Sequence, residues 1–132
     1  MINKVFISGR VTKEPVYNIM PDKKSVINFT LANITHYKKN EEIREEVAFV
    51  GVVVFGKMAE KLSSELKRGS HVIVMGRLRF EQWTSKDGTK RDRIVVVASE
   101  IMQAEHFHSK ITEEQKKVVE PYNPTPLYDD EH

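Results

Sequence analysis

The stretch VAFVGVVVFGKMAEKLSSELKRG, residues Val47 to Gly69, decides the fold. Its first nine residues are apolar on both faces of a strand. Val47 to Phe55 therefore predicts a central strand covered twice, by the core on one side and by something else on the other. Gly56 ends that strand, and Lys57 to Lys67 then sets Met58, Leu62 and Leu66 four residues apart, an apolar stripe on a helix of about three turns. Lys67 and Arg68 followed by Gly69 supply a C-terminal stop.

Working outward toward the N-terminus, Asn3 to Val11 alternates, with Val5, Ile7, Gly9 and Val11 on one face and Lys4, Phe6, Ser8 and Arg10 on the other. Pro15 and Met20-Pro21-Asp22 bracket a short extended piece, Val16 to Ile19. Ser25 to Thr35 aligns Ile27, Phe29 and Leu31, and the charged, unpatterned run Tyr37 to Glu46 reads as a long hairpin connection. Toward the C-terminus, His71 to Trp83 sets Val72, Val74, Leu78 and Phe80 on an apolar face and Arg77, Arg79, Glu81 and Trp83 on the other. Asp87-Gly88 signals a hairpin turn, and a partner strand runs from Arg91 to Gln103 through the β-branched Ile94 to Val97. Five strands with one helix between the third and fourth is the order of an all-β OB-fold barrel. An SH3-like barrel has no helix of this length at this point, and a parallel α/β sheet would need more helices than one.

At 132 residues the chain is about one domain long, and it has no cysteine for disulfides or thiolate metal sites. The apolar run in MINKVFISGR is too short for a secretory signal, and no stretch reaches the roughly 18 apolar residues of a membrane span. A soluble, cytoplasmic protein without membrane contact is expected. The net charge of +2 divides along the chain. Residues 1–105 carry 18 Lys and Arg against 13 Asp and Glu, whereas residues 106–132 carry 3 against 6. The pattern also fails after Glu105: Ile111 to Val119 offers a turn or two of helix, and Pro121, Pro124 and Pro126 then forbid regular structure. A basic barrel over residues 1–105 and a flexible acidic tail over residues 106–132 follow.

No catalytic constellation emerges, so an enzyme is not expected. The histidines are scattered without a Ser-His-Asp set, His106-x-His108 lacks a third ligand, and Gly51 to Lys57 (GVVVFGK) lacks the spacing and hydroxyl of a P-loop. Neither a metal nor any other cofactor is expected. A binding surface has more support. Trp83, the only tryptophan, lies in strand register with Arg77 and Arg79, and a flat ring among cations suits stacking on nucleobases beside their phosphates. Phe49 and Phe55 share one strand face with Gly51 and Val53 between them, so the missing side chain at Gly51 could leave a shallow floor between two rings. If Val50, Val52 and Val54 face the core, both rings are exposed; the reverse assignment makes them core residues, and the pattern by itself favours core packing. Tyr37, followed by Lys38 and Lys39, alternates with Ile27, Phe29 and Leu31, so its exposure would require a bulge or a change of twist.

Asn3-Lys4-Val5 with Gly9-Arg10, Phe29-Thr30-Leu31-Ala32, Val53 to Glu60 (VVFGKMAE), Lys67-Arg68-Gly69-Ser70, and Gly76-Arg77-Leu78-Arg79 through Trp83-Thr84 occur in order across residues 1–105. Together they resemble the bacterial single-stranded DNA-binding protein family, chromosomal or phage-encoded. The resemblance implies an OB-fold that assembles as a homotetramer, associates with the nucleoid, and wraps single-stranded DNA without sequence preference during replication, recombination and repair. It implies base stacking on Tyr37, Phe49, Phe55 and Trp83, which turns the two phenylalanines toward exposure. Phosphate contacts are implied at Lys57 and Arg68, with Lys38, Arg77 and Arg79 added by their placement. Gln82 stands where a basic residue is common and Gly51 where a longer polar side chain is usual. The family's acidic tip, which docks replication and repair enzymes, ends in Pro-Phe; here the ending is Leu127-Tyr128-Asp129-Asp130-Glu131-His132, with Leu127 and Tyr128 as the available apolar anchor. An OB-fold module for RNA, or a primosomal or other assembly factor, is the alternative reading.

Overall fold

Six strands and one helix follow one another along residues 1–104, the part of the chain that the computed structural model describes. They are β1 (Val5–Val11), β2 (Val16–Ile19), β3 (Ser25–Lys39), β4 (Glu42–Phe55), α1 (Lys57–Glu65), β5 (His71–Thr84) and β6 (Lys90–Gln103). The sheet order is β1-β5-β6-β4-β3-β2, and an added β1–β3 pairing closes the five long strands into a barrel. The five barrel strands are those expected; the short extended piece Val16–Ile19 adds an edge strand that pairs only with β3, so α1 follows the fourth strand in chain order.

The barrel core takes alternate residues from each wall. Val52 and Val54 of β4 pack with Ile27, Phe29 and Leu31 of β3, Val72 and Val74 of β5 and Val96 of β6. α1 stops one end of this core with Ala59, Leu62 and Leu66, all buried. The helix is shorter than its apolar stripe suggests. It ends at Glu65 because Leu66 turns extended (φ −85, ψ 128) while its N–H still donates to the Leu62 carbonyl at 2.8 Å, which drives the leucine side chain inward. Gly69, with φ +89, then serves the loop into β5 rather than the helix end. On the outer side of β4, Val53 packs with Val26 and Val95, against Met20 and the half-buried Phe55. That second cluster is what covers the central strand from outside.

Two ribbons leave the barrel. Tyr37 to Glu46 is not a long connection: β3 and β4 pair without interruption from Val26 opposite Phe55 to Lys39 opposite Glu42. Only Asn40 and Glu41 turn, at φ 50 and 67, in the left-handed region that a two-residue hairpin turn demands. The segment shows no apolar period because it projects past the core and both faces meet solvent. β5 and β6 leave the barrel in the same way. After Gly76, Ser99 bulges out of register in β6, with its hydroxyl donating to the Met75 carbonyl at 3.2 Å. Leu78 and Phe80, which alternation places on the core face, are exposed because the ribbon extends past the core there.

Candidate nucleic-acid interface

Residues directly opposite one another in a ladder lie on the same face of the sheet, so the registers assign the outer surface. Phe49, Gly51, Val53 and Phe55 of β4 look outward, because Val52 and Val54 are taken by the core. The strand pattern alone favours core packing for the two phenylalanines and the resemblance favours exposure; the outward placement is the one found, with Phe49 69% exposed and Phe55 half-buried at the edge of the outer cluster. Val53 is level with Val97 in the parallel β4–β6 pair. Across β5–β6, Arg77 faces Val97, Arg79 faces Val95, Glu81 faces Arg93 and Trp83 faces Arg91. Phe49, Phe55, Arg77, Arg79 and Trp83 thus share one continuous face. Lys38 joins it near the tip of the other ribbon, opposite Ile43, where its ammonium pairs with Glu41 at 3.2 Å.

Tyr37 is not brought to that face. It stands opposite Arg44 with alternate parity, and no bulge interrupts β3; its half-exposure comes from the ribbon's projection beyond the core. Lys57 opens α1 and Arg68 lies in the loop after it, both exposed. The Arg68 backbone N–H donates to Glu14 at 3.3 Å. The tail residues Leu127, Tyr128, Asp129, Asp130 and Glu131, together with His106 and His108, lie outside the described residues.

Gly51 sits at the floor of a cleft of about 170 Å³ walled by Lys13, Val16, Asn28, Thr30 and Arg93. A Cβ at Gly51 would meet only the Val95 Cγ1 at 3.4 Å, so the floor is open because the residue is small rather than because the backbone is unusual. The rings beside it carry cations. The Arg79 guanidinium lies 5.4 Å from the centroid of Phe55 and that of Arg93 lies 5.5 Å from Trp83. Both arginines donate to Glu81, Arg79 through Nη2 and Arg93 through Nε at 2.9 Å. The hydrogen bond from Arg79 holds the Glu81 carboxyl below its ordinary range, with Arg93 adding to it against the opposing effect of burial.

Sequence reading did not single out Lys13, Arg91, Arg93 or the part played by Glu81. Arg91 and Arg93 alternate in the sequence, but their face depends on the hairpin register, which Asp87-Gly88 alone leaves open. The loop is five residues long, Ser85 to Thr89, and this length sets Arg91 opposite Trp83; a two-residue turn at Asp87-Gly88 would have set Asp92 there.

Residues 2–104 match the model of the single-strand binding protein family. Over 102 residues the chain is 41% identical to a protein of Aquifex aeolicus called single-stranded DNA-binding protein, covering 76% of this chain and 69% of that one. It is 30% identical over 129 residues to a protein of the same name from Wolinella succinogenes, covering 97% and 80%. The crystal structure of the small single-stranded DNA-binding protein from Streptomyces coelicolor shares the fold, with a TM-score of 0.64 and 24% identity over 78% of this chain and 95% of that one. Among the described residues no helix is long and apolar enough to cross a membrane.

Proposed function

The chain belongs to the single-strand binding protein family, and from that membership we propose that it binds single-stranded DNA without sequence preference and shields it during replication, recombination and repair. The observation that carries this reading is the outward face on which Phe49, Phe55 and Trp83 alternate with Arg77, Arg79, Arg91 and Arg93. Every nucleobase has a π-face, so aromatic stacking worth about 1–3 kcal/mol per base is indifferent to sequence. A guanidinium on an exposed ring is worth only about 0.5–1 kcal/mol. Bases therefore displace Arg79 and Arg93 from Phe55 and Trp83, and the freed cations meet phosphates. Lys38, Lys57 and Arg68 extend the phosphate track and Tyr37 adds a platform on the other face of its ribbon.

Assembly as a homotetramer fits the apolar strip that the second ribbon leaves uncovered, where Phe80 and Ile94 face one another across β5–β6 at 59% and 62% exposure. Recruitment of replication and repair proteins is assigned to the acidic tail, and the place of action to the cytoplasm at the nucleoid. No covalent chemistry is involved. Titration of Trp83 emission with oligo-dT, oligo-rU and duplex DNA at two salt concentrations tests the reading. Strong quenching by oligo-dT, little by duplex, and an affinity that falls by roughly 0.7 log unit per log unit of salt for each phosphate contacted are expected. Absence of quenching by any single strand would refute it, and preference for oligo-rU would favour the RNA-binding alternative.

A further inference from the structure

We propose that Glu81 is a positioning residue that competes with phosphate: it keeps Arg79 parked on Phe55 and Arg93 parked on Trp83 until a single strand displaces them. Among the outward residues of β5 and β6 on this ribbon, four arginines surround one acid, and that acid is Glu81. Its two oxygens are divided between the two arginines, Oε2 accepting from Arg79 and Oε1 from Arg93. Each of these guanidiniums simultaneously covers an aromatic ring. The carboxylate is the least exposed member of the trio, with 22% of its side-chain surface open against 34% for Arg79 and 51% for Arg93. The acid is thus the fixed point and the arginines are the parts free to swing outward.

The consequence rests on the DNA-binding reading. A carboxylate bridging two guanidiniums occupies the donors that a phosphodiester would use, and it stays behind as an anion beside the strand when they leave. Glu81 therefore lowers affinity and hides cations from the count of released counterions, while keeping both rings capped by cations when no strand is bound. Exchange of one anion for another lets the same two arginines serve both states.

The test compares the full chain with Glu81→Gln and Glu81→Ala in titrations with oligo-dT over a series of salt concentrations. Both variants should bind roughly three- to thirtyfold more tightly at low salt. Their dependence of log K on log salt should be steeper by about 0.7 to 1.4, the equivalent of one or two more phosphates. Emission of unliganded Trp83 should also change, because Arg93 loses its anchor. Equal or weaker binding with an unaltered salt slope overturns this role and leaves the DNA-binding reading standing. Failure of the unsubstituted chain to bind any single strand overturns both. Unfolding of both variants, seen by circular dichroism, would make Glu81 a purely structural residue and overturn the role as well.

Discussion

A Cβ placed on Gly9 would fall 2.3 Å from the carbonyl oxygen of Ala32, so β1 and β3 can meet only because Gly9 has no side chain. This contact is part of the β1–β3 pairing that closes the barrel. Gly9→Ala forces the two backbones apart and should cost about 1–3 kcal/mol of stability. Urea unfolding of the variant beside the unsubstituted chain measures this directly.

Trp83→Ala should weaken binding of oligo-dT by about 1–3 kcal/mol for each stacked base lost, with the fold intact. The indole is 44% exposed and belongs to neither buried cluster, so its loss opens no cavity. Thermal melts with binding isotherms separate the two effects. A large fall in melting temperature would instead make Trp83 a packing residue.

Glu41 holds φ 67 in the hairpin turn, a conformation that costs a side-chain-bearing residue about 1 kcal/mol or more. Glu41→Gly should stabilise the ribbon by up to about 1 kcal/mol. It also frees Lys38 from its ion pair, so binding of single strands should tighten slightly rather than weaken. Denaturation midpoints and oligo-dT affinity check the two halves independently.

Acid should loosen the second ribbon. Asp87 accepts from the Ser85 hydroxyl and, at 3.0 Å, from the Thr89 backbone N–H, and its pKa is lowered from 3.8 to about 2. Glu81 is lowered as well, by Arg79 first. A carboxylate with a depressed folded pKa binds fewer protons folded than unfolded, so its contribution is complete above the unfolded pKa and disappears as pH falls through the folded one. Stability of the β5–β6 ribbon should be flat down to about pH 5 and decline from there toward pH 2. Asp87→Asn should flatten the lower part of that decline, as followed by Trp83 emission.

Phe80→Asp with Ile94→Asp places two charges on the uncovered strip of β5–β6, where neither residue supports the barrel core. Sedimentation should show the proposed homotetramer reduced to smaller species, with melting of the barrel shifted little beyond the loss of assembly. An unchanged sedimentation coefficient would place the subunit contacts elsewhere.

The sequence by itself determined the barrel walls, because burial imposes a period. Val5 to Val11, Ile27 to Leu31 and Val72 to Val74 each touch the core on alternate residues, and Met58, Leu62 and Leu66 betray the helix that plugs it. What it left open lies where burial stops imposing anything. The ribbon from Tyr37 to Glu46 meets solvent on both faces, so its strands leave no apolar period and read as a loop. Phe49 and Phe55 sit in a run that is apolar on both sides, and only the packing of Val52 and Val54 into the core turns the rings outward. Arg91 and Arg93 reach Trp83 and Glu81 through a register set by a five-residue loop, a geometric fact that no residue type announces. Tertiary structure decided the binding face because neighbours there come from strand pairing, whereas the sequence could decide the core because a core residue's chemistry already states where it must go.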